Sequence, residues 1–503
     1  MKPGRLRIVI FTALCFSAQL VIAENQQTWV LDGKAALAAA KKLKPINTKA
    51  KNVILFVGDG MGVSTVTGAR IFEGQQRGLD GERNQLAFEK LPYLALSKTY
   101  SANQQTPDSA PTMSAIVTGV KTNDSILSLN QSVKRGELDN HVIQANSVQT
   151  ILEKAEKKGL LTGVVSTARI THATPAATYA HISNRDWENN SELPAEATAT
   201  GVKDIAVQLI DHIRDKRGLR VVLGGGRANL MPDSQHDPEY HEKMGKRTDG
   251  RDLIAEYLNI TAGEFVWNKR QFNAVNPKKT KHLLGLFQPS HMHYEHDRQK
   301  DKAGEPSLAE MTAKAIEILS QEDKGYFLMV EGARIDHASH AGNAYRTFSE
   351  TAAFSDAVRV AMDRIDMQDT LIIVTADHSH SLTLAGYPKR GNPILGKVVA
   401  PDETKPTLAE DGKPYTTVTF ANGSGFHEHI VEAIDVRAGR VKDMSDIDTS
   451  DPNFHQEALV PLAYETHAAE DVAIYAGGPQ AHLFHGVQEQ SYIYYVMAEA
   501  FGF

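Results

Sequence analysis

The stretch Asn52-Val-Ile-Leu-Phe-Val-Gly-Asp-Gly-Met-Gly62 carries an apolar run directly into an acidic, glycine-rich turn. A run this short, closed by glycine, reads as a strand over 52–57 buried on both faces. The same character returns at 162–166, 220–223, 326–330 and 370–375, with helix-like segments between. One of these, 147–158, is expected as an amphipathic helix with Ser147 as N-cap and Gly159 as its stop. Another opens at Pro306-Ser-Leu-Ala-Glu310 with a capping box. Buried strands alternating with helices predict a three-layer α/β sandwich around a central, mostly parallel sheet. Such sheets hold ligands at the carboxyl ends of their strands. Asp59, Glu331 and Asp377 each stand at such an end, so one sheet edge should gather three carboxylates.

Working outward, the first residues read as a leader. Lys2, Arg5 and Arg7 precede an apolar run over 8–22, and Val21-Ile-Ala23 offers small-residue cleavage spacing, so 1–23 is expected to be a signal peptide. Ser17 and Gln19 interrupt that run, and the chain's last residues lack a lipid-anchor pattern; no membrane anchor is expected. The expected product is exported, to a periplasm or beyond the cell. Its one cysteine, Cys15, leaves with the leader, which excludes thiolate chemistry from the mature chain. The leader also carries three basic and no acidic residues, so its loss moves the net charge from −7 to −10. An acidic chain of this kind argues against nucleic acid as a partner. The remainder, 24–503, reads as one large catalytic domain. Two stretches break its rhythm: 229–305 is expected as a surface insertion, and 386–462, with β-prone 415–421, as an excursion from the core.

The chemistry lies in carboxylates and imidazoles. Asp336 and His340 are four apart, one turn on a helix, and can share an ion with His467. Asp377 and His378 are adjacent at a strand end, where they can meet Asp59 and a serine at a second ion. Zinc takes such nitrogen and oxygen donors. Glu331 offers oxygen only; with Asp59 and a hydroxyl it suits magnesium. Ser109, in Thr106-Pro-Asp-Ser-Ala-Pro-Thr112, precedes a helix-compatible run with Pro111 in its first turn. Two readings stay open there: a helix cap, or a nucleophile activated by a metal at a helix end that favours anions. His291-Met-His-Tyr-Glu-His296 reads as a solvated loop, and Gly224-Gly-Gly226 as a turn. A metal-storage protein would explain the acids and histidines equally well, but has no use for Ser109.

Asp-Gly-Met-Gly, Pro-Asp-Ser-Ala, Glu-Gly-x-Arg-Ile-Asp-His-x-x-His, Ala-Asp-His-Ser-His and Glu-Thr-His-x-x-Glu-Asp-Val-Ala, in this order, resemble the alkaline phosphatase family from about Asn52 to Met497. Pro479-Gln-Ala-His-Leu-Phe-His-Gly-Val-Gln-Glu-Gln490, and His172 in Thr171-His-Ala-Thr174, resemble its animal-type branch. The resemblance implies a phosphomonoesterase of broad range and alkaline optimum, with two zinc ions and one magnesium. The first zinc would take Asp336, His340 and His467; the second Asp59, Asp377 and His378; magnesium Asp59, Thr174 and Glu331. Ser109 would be the nucleophile, passing through a phosphoserine. Arg185, in Asn184-Arg-Asp-Trp187, would grip the phosphate as a planar fork. His172, His337 and His380 would lie on the substrate side or orient ligands. A homodimer with a crown from 386–462 is implied as well. Thr174 stands where the branch has serine. Gln288, in Leu286-Phe-Gln-Pro289, replaces an acid, which weakens the case for the branch's fourth, calcium-like site.

Overall fold

Along Asn52–Gly58 every residue is buried, yet neighbours go to opposite places. Val53, Leu55 and Val57 enter one hydrophobic core, while Ile54 and Phe56 enter another. A strand's side chains alternate between faces, so a continuous apolar run can serve two cores at once. The first core is closed by helices Ser109–Thr118, Ile151–Lys157, Ile205–Arg214 and Tyr492–Phe501, through Ile116, Ile151, Leu209 and Val496. Val63–Gln76, Leu308–Leu319 and Ala344–Met362 close the second through Val66, Met311 and Phe354. Phe354 meets Phe56 edge to face at 5.8 Å. Helices over both faces of one sheet make the expected three layers.

The computed structural model describes residues 26–214, 219–425 and 443–503. The expected leader, 1–23, lies outside them. Residues 26–44 belong to a unit of their own, in which the helix Gln26–Lys42 has no buried residue. Among the described residues no helix is long and apolar enough to cross a membrane.

Ten strands among the described residues form the main sheet, in the order Val487–Glu489, Tyr93–Lys98, Val472–Gly477, Thr370–Ala376, Asn52–Gly58, Tyr326–Gly332, Leu161–Arg169, Val221–Gly225, Leu283–Leu286, Glu264–Val266. Asn52–Gly58 pairs in parallel with Tyr326–Gly332 and Thr370–Ala376, placing Val57 opposite both Glu331 and Thr375. Asp59, Glu331 and Asp377 therefore end three adjacent strands at one edge, as the sequence pattern requires. Val472–Gly477 alone runs antiparallel to its neighbours. That reversal matters, because residues preceding it, His467 among them, arrive at the same edge.

Two differences from the sequence reading stand out. The stretch 229–305 does not stay outside the core: Glu264–Val266 and Leu283–Leu286 extend the main sheet. At three and four residues these strands are too short for a periodic signal. The helix expected over 147–158 begins at Ile151, and Thr150, not Ser147, is its cap, in a reciprocal box with Glu153. The capping box opening Leu308–Leu319 with Ser307 and Glu310 is as read. Within 386–462, Val418–Gly423 joins Leu382–Leu384 and Ala458–Pro461 in a three-stranded sheet.

Candidate active site

Ser109 is the first residue of its helix, with Asp108 as N-cap, so the reading of Ser109 as a mere cap falls away. Its hydroxyl is buried and points inward. Oγ lies 3.2 Å from His378 Nε2 and 3.4 Å from Asp59 Oδ1. His378 Nε2 in turn lies 3.3 Å from Asp59 Oδ1 and 3.3 Å from Asp377 Oδ2. One nitrogen thus faces three oxygens at nearly equal distance.

The neighbouring group repeats the pattern. Asp336 Oδ1 lies 3.3 Å from His340 Nε2 and 3.2 Å from His467 Nε2, and those nitrogens are 3.1 Å apart. Donors about 2.0–2.1 Å from a tetrahedral zinc ion stand about 3.3 Å from one another. Both edges from His378 Nε2, and all three edges of the Asp336 trio, are of that length. The rings of His378 and His467 stack at 3.6 Å, bringing the groups side by side.

Backbone carbonyls decide which way these imidazoles face. His340 Nδ1 donates to Glu465 O, His467 Nδ1 to Pro107 O and His378 Nδ1 to Ser379 O, at 2.5, 2.8 and 3.4 Å. A carbonyl only accepts, so Nδ1 carries the proton and Nε2 turns its lone pair inward. Those lone pairs converge on carboxylate oxygens, an arrangement that repels itself unless a cation lies between. The carboxylates show the same tension. Burial, then Asp377, Asp336 and Glu331 nearby, pushes Asp59 well above the usual carboxylate range. Burial likewise raises Asp377. At Asp336 burial is outweighed by His340, His380 and His467, and the carboxyl falls well below its ordinary value.

A third group contains oxygen alone. Asp59 Oδ2, Glu331 Oε1 and Thr174 Oγ1 are buried without a hydrogen-bond partner. They come from a strand end, a strand and the short helix Ala173–Ala176. Each such atom costs about 1–3 kcal/mol left unsatisfied. Three at the residues of one expected oxygen site fit a hard cation.

Glycines make room for this edge. Gly60 has φ +67°, and a Cβ there would come 2.3 Å from the His380 ring; at Gly62 it would come 2.0 Å from Ser379 Oγ. Asp-Gly-Met-Gly is therefore a turn that must pass close under the imidazoles.

Arg185 is held beside Asp108, the residue before Ser109. Asp108 Oδ2 accepts from its Nη1 at 2.9 Å, and His172 Nε2 lies 3.0 Å from Nη2. His337, half-buried, sits by His172 at 5.7 Å between ring centroids. His380, expected on the substrate side, lies elsewhere: it is buried between Asp336 (2.8 Å) and Glu465 (2.5 Å). Burial would lower its pKa, but the two carboxylates lift it to about 10. These contacts fit the ligand-orienting alternative of the sequence reading. His291 is also misplaced by the sequence reading. It is no solvated loop residue, but packs 4.2 Å from His337 and 5.2 Å from His172.

Several partners had no signal in the sequence reading. Glu465 takes both His380 and Ser381 on its carboxylate while its carbonyl holds His340. Ser166 donates to Glu331, and Asp108 fixes Arg185. Glu465 and Asp108 sat inside quoted motifs; Ser166 is one more hydroxyl in a strand, and only its register opposite Glu331 marks it.

The alkaline phosphatase family model matches residues 50–503. The chain belongs to the alkaline phosphatase family. It is 42% identical to the tissue-nonspecific alkaline phosphatase of Gallus gallus, over 98% of this chain and 93% of that protein. The Homo sapiens counterpart is 40% identical, over 98% and 92%. Among solved structures, Thermus thermophilus alkaline phosphatase aligns at TM-score 0.63 and 24% identity, covering 92% of this chain and 94% of its own. The enzyme of the Antarctic bacterium TAB5 aligns at 0.59 and 22%, over 91% and 99%. These last two share the fold. As an alkaline phosphatase the chain is a hydrolase of phosphate monoesters, and its candidate metal groups are those just described.

Proposed function

We propose that this alkaline phosphatase transfers phosphate to Ser109 and then to water, with two zinc ions and one magnesium in place. The observation that carries the reading is Ser109 Oγ at 3.2–3.4 Å from His378 and Asp59, inside a donor set of zinc dimensions. Asp336, His340 and His467 would hold the first zinc, Asp59, Asp377 and His378 the second, and Asp59, Thr174 and Glu331 the magnesium. When bound, these ions supply Lewis acidity at the attacking and leaving oxygens and neutralise the buried carboxylates.

Ser109 Oγ forms the new bond to phosphorus as the ester oxygen departs in line. Arg185 grips two nonbridging oxygens, and Asp108 keeps its fork turned to the site. The N-terminus of Ser109–Thr118 favours the same dianion. His380 and Glu465 hold Asp336 and His340 still through both steps. Water then cleaves the phosphoserine, restoring the hydroxyl and releasing inorganic phosphate. Nothing in this scheme grips the alcohol, which supports a broad range; the alkaline optimum, export to a periplasm or medium, and the homodimer follow from the likeness to the family.

Acid quenching during turnover of a 32P-labelled monoester tests the covalent step: label is expected on the peptide containing Ser109. Label in inorganic phosphate only, at every quench time, removes it. Comparing p-nitrophenyl phosphate, bis-p-nitrophenyl phosphate and p-nitrophenyl sulfate separates the phosphomonoesterase from a diesterase or sulfatase. A fourth cation is left out of the scheme, because the buried Gln288 amide donates to Asp301 where the calcium-like site would need an acid.

A further inference from the structure

His172, His291 and His337 bring ring nitrogens within 4.8 Å of one another, the spacing of a metal site. Their partners say otherwise. Arg185 donates to His172 Nε2 at 3.0 Å, Arg334 Nη1 to His337 Nδ1 at 2.9 Å, and Arg169 Nη1 to His291 Nε2. A guanidinium only donates, so each contacted nitrogen turns its lone pair to an arginine; at His291 the Arg169 backbone N–H also points at Nδ1, 3.3 Å away. Three imidazoles whose lone pairs are already taken by three guanidinium groups disfavour a metal ion and suit an anion.

The cations are not equally satisfied. Arg185 has Asp108, and Arg169 has Glu188 in a bidentate pair. Among the described residues no carboxylate lies within 4.0 Å of Arg334; its guanidinium lies over the Tyr294 ring at 3.8 Å, and its Nε is buried with no hydrogen-bond partner. Glu350 acts on it from farther off, but burial pushes that carboxyl up to about 8. Arg334 also begins the helix Arg334–His340, which carries Asp336 and His340, the residues proposed for the leaving oxygen.

We propose that Arg334, with Arg169 and His291 beside it, receives a second anionic group on the leaving portion of the substrate, so that the enzyme favours phosphate esters whose leaving group itself bears a phosphate. This rests on the phosphatase reading and adds a preference within its range. Arg185 takes the phosphate being transferred; the shelf from His172 through His337 to Arg334 takes the one that departs.

The test is a ratio, measured on enzyme loaded with zinc and magnesium: kcat/KM for ADP, and for fructose 1,6-bisphosphate, over kcat/KM for p-nitrophenyl phosphate. Arg334→Met is expected to lower the ratio about tenfold for at least one of the two, and Arg334→Lys by less. His291→Asn is expected to lower it about twofold to threefold. In the wild-type enzyme, raising salt from about 0.02 to 0.5 M should lower the same ratio several-fold, which keeps the test decisive if Arg334→Met fails to fold. A ratio unmoved by substitution and salt, with all substrates slowing together, overturns the proposal and leaves the phosphatase reading standing. Failure of the wild type to turn over p-nitrophenyl phosphate overturns both.

Discussion

Two clusters of histidine lie side by side at one edge of this sheet, and their partners set them apart. In the first, backbone carbonyls hold the Nδ1 atoms of His340, His378 and His467, and carboxylates face the free nitrogens. In the second, arginines hold His172, His291 and His337, and among the described residues no carboxylate faces any of the three within ion-pair distance. Ring spacing alone would class both as metal sites. The hydrogen bond on the far side of each imidazole decides the matter, by fixing which nitrogen offers a lone pair. On the readings proposed above, the first cluster would collect cations and the second an anion.

The sharpest break in that comparison is at the nucleophile. Ser109→Ala should lower kcat on p-nitrophenyl phosphate by on the order of 10⁴-fold or more while zinc content stays that of the wild type. Rates near wild type would detach the hydroxyl from the cation-collecting cluster. Prolonged chelation, next, should abolish activity, with recovery on adding zinc and magnesium; activity that survives complete removal of metal, verified by elemental analysis, contradicts the carbonyl-and-carboxylate reading.

The sequence showed the first cluster well and the second badly, and the reason is physical. Asp59, Glu331 and Asp377 follow apolar runs, and Asp336 and His340 share a helical spacing, so period and position betray them. His467 precedes Val472–Gly477, the strand that runs against its neighbours in the main sheet, and its arrival was legible only through its motif. His291 lies in a run of histidines with no period, and nothing local says that it folds back onto His172. The main sheet was legible at 52–57, 162–166, 220–223, 326–330 and 370–375, where the apolar runs are unbroken; Tyr93–Lys98 and Val472–Gly477 were not read. Glu264–Val266 and Leu283–Leu286 were missed because so short a strand is defined by its neighbours. Thr150 displaced Ser147 as a cap because the helix starts later, where Glu153 can return the bond.

Smaller effects sharpen the contrast. Glu465→Gln removes the charge facing His380 and so loosens Asp336, and should weaken zinc binding about 10–100-fold, read by competition with a chromogenic chelator. Unchanged affinity would mean that the carbonyl contacts suffice. Behind the arginine cluster, buried Glu350 has a carboxyl raised to about 8 from an ordinary value of 4.5. A raised carboxyl stabilises the fold below the unfolded value and loses that contribution as pH rises through the folded one. Wild type should therefore lose stability between about pH 5 and 9, and Glu350→Gln should lose less, by about 1 kcal/mol or more at pH 9 in thermal or urea unfolding. Parallel pH profiles would show Glu350 ionised throughout. Thr174→Ser, which keeps the hydroxyl, should hold kcat/KM within about threefold; a large loss would show that the methyl group, not the oxygen, is what the site requires.

The most direct test is anomalous scattering at the zinc absorption edge from crystals of the zinc-loaded protein. Two strong peaks are expected, one within about 2.0–2.2 Å of Asp59, Asp377 and His378 and the other at that distance from Asp336, His340 and His467, with none among His172, His291 and His337. A zinc peak inside the arginine-held histidines, or none beside Ser109, would contradict the account.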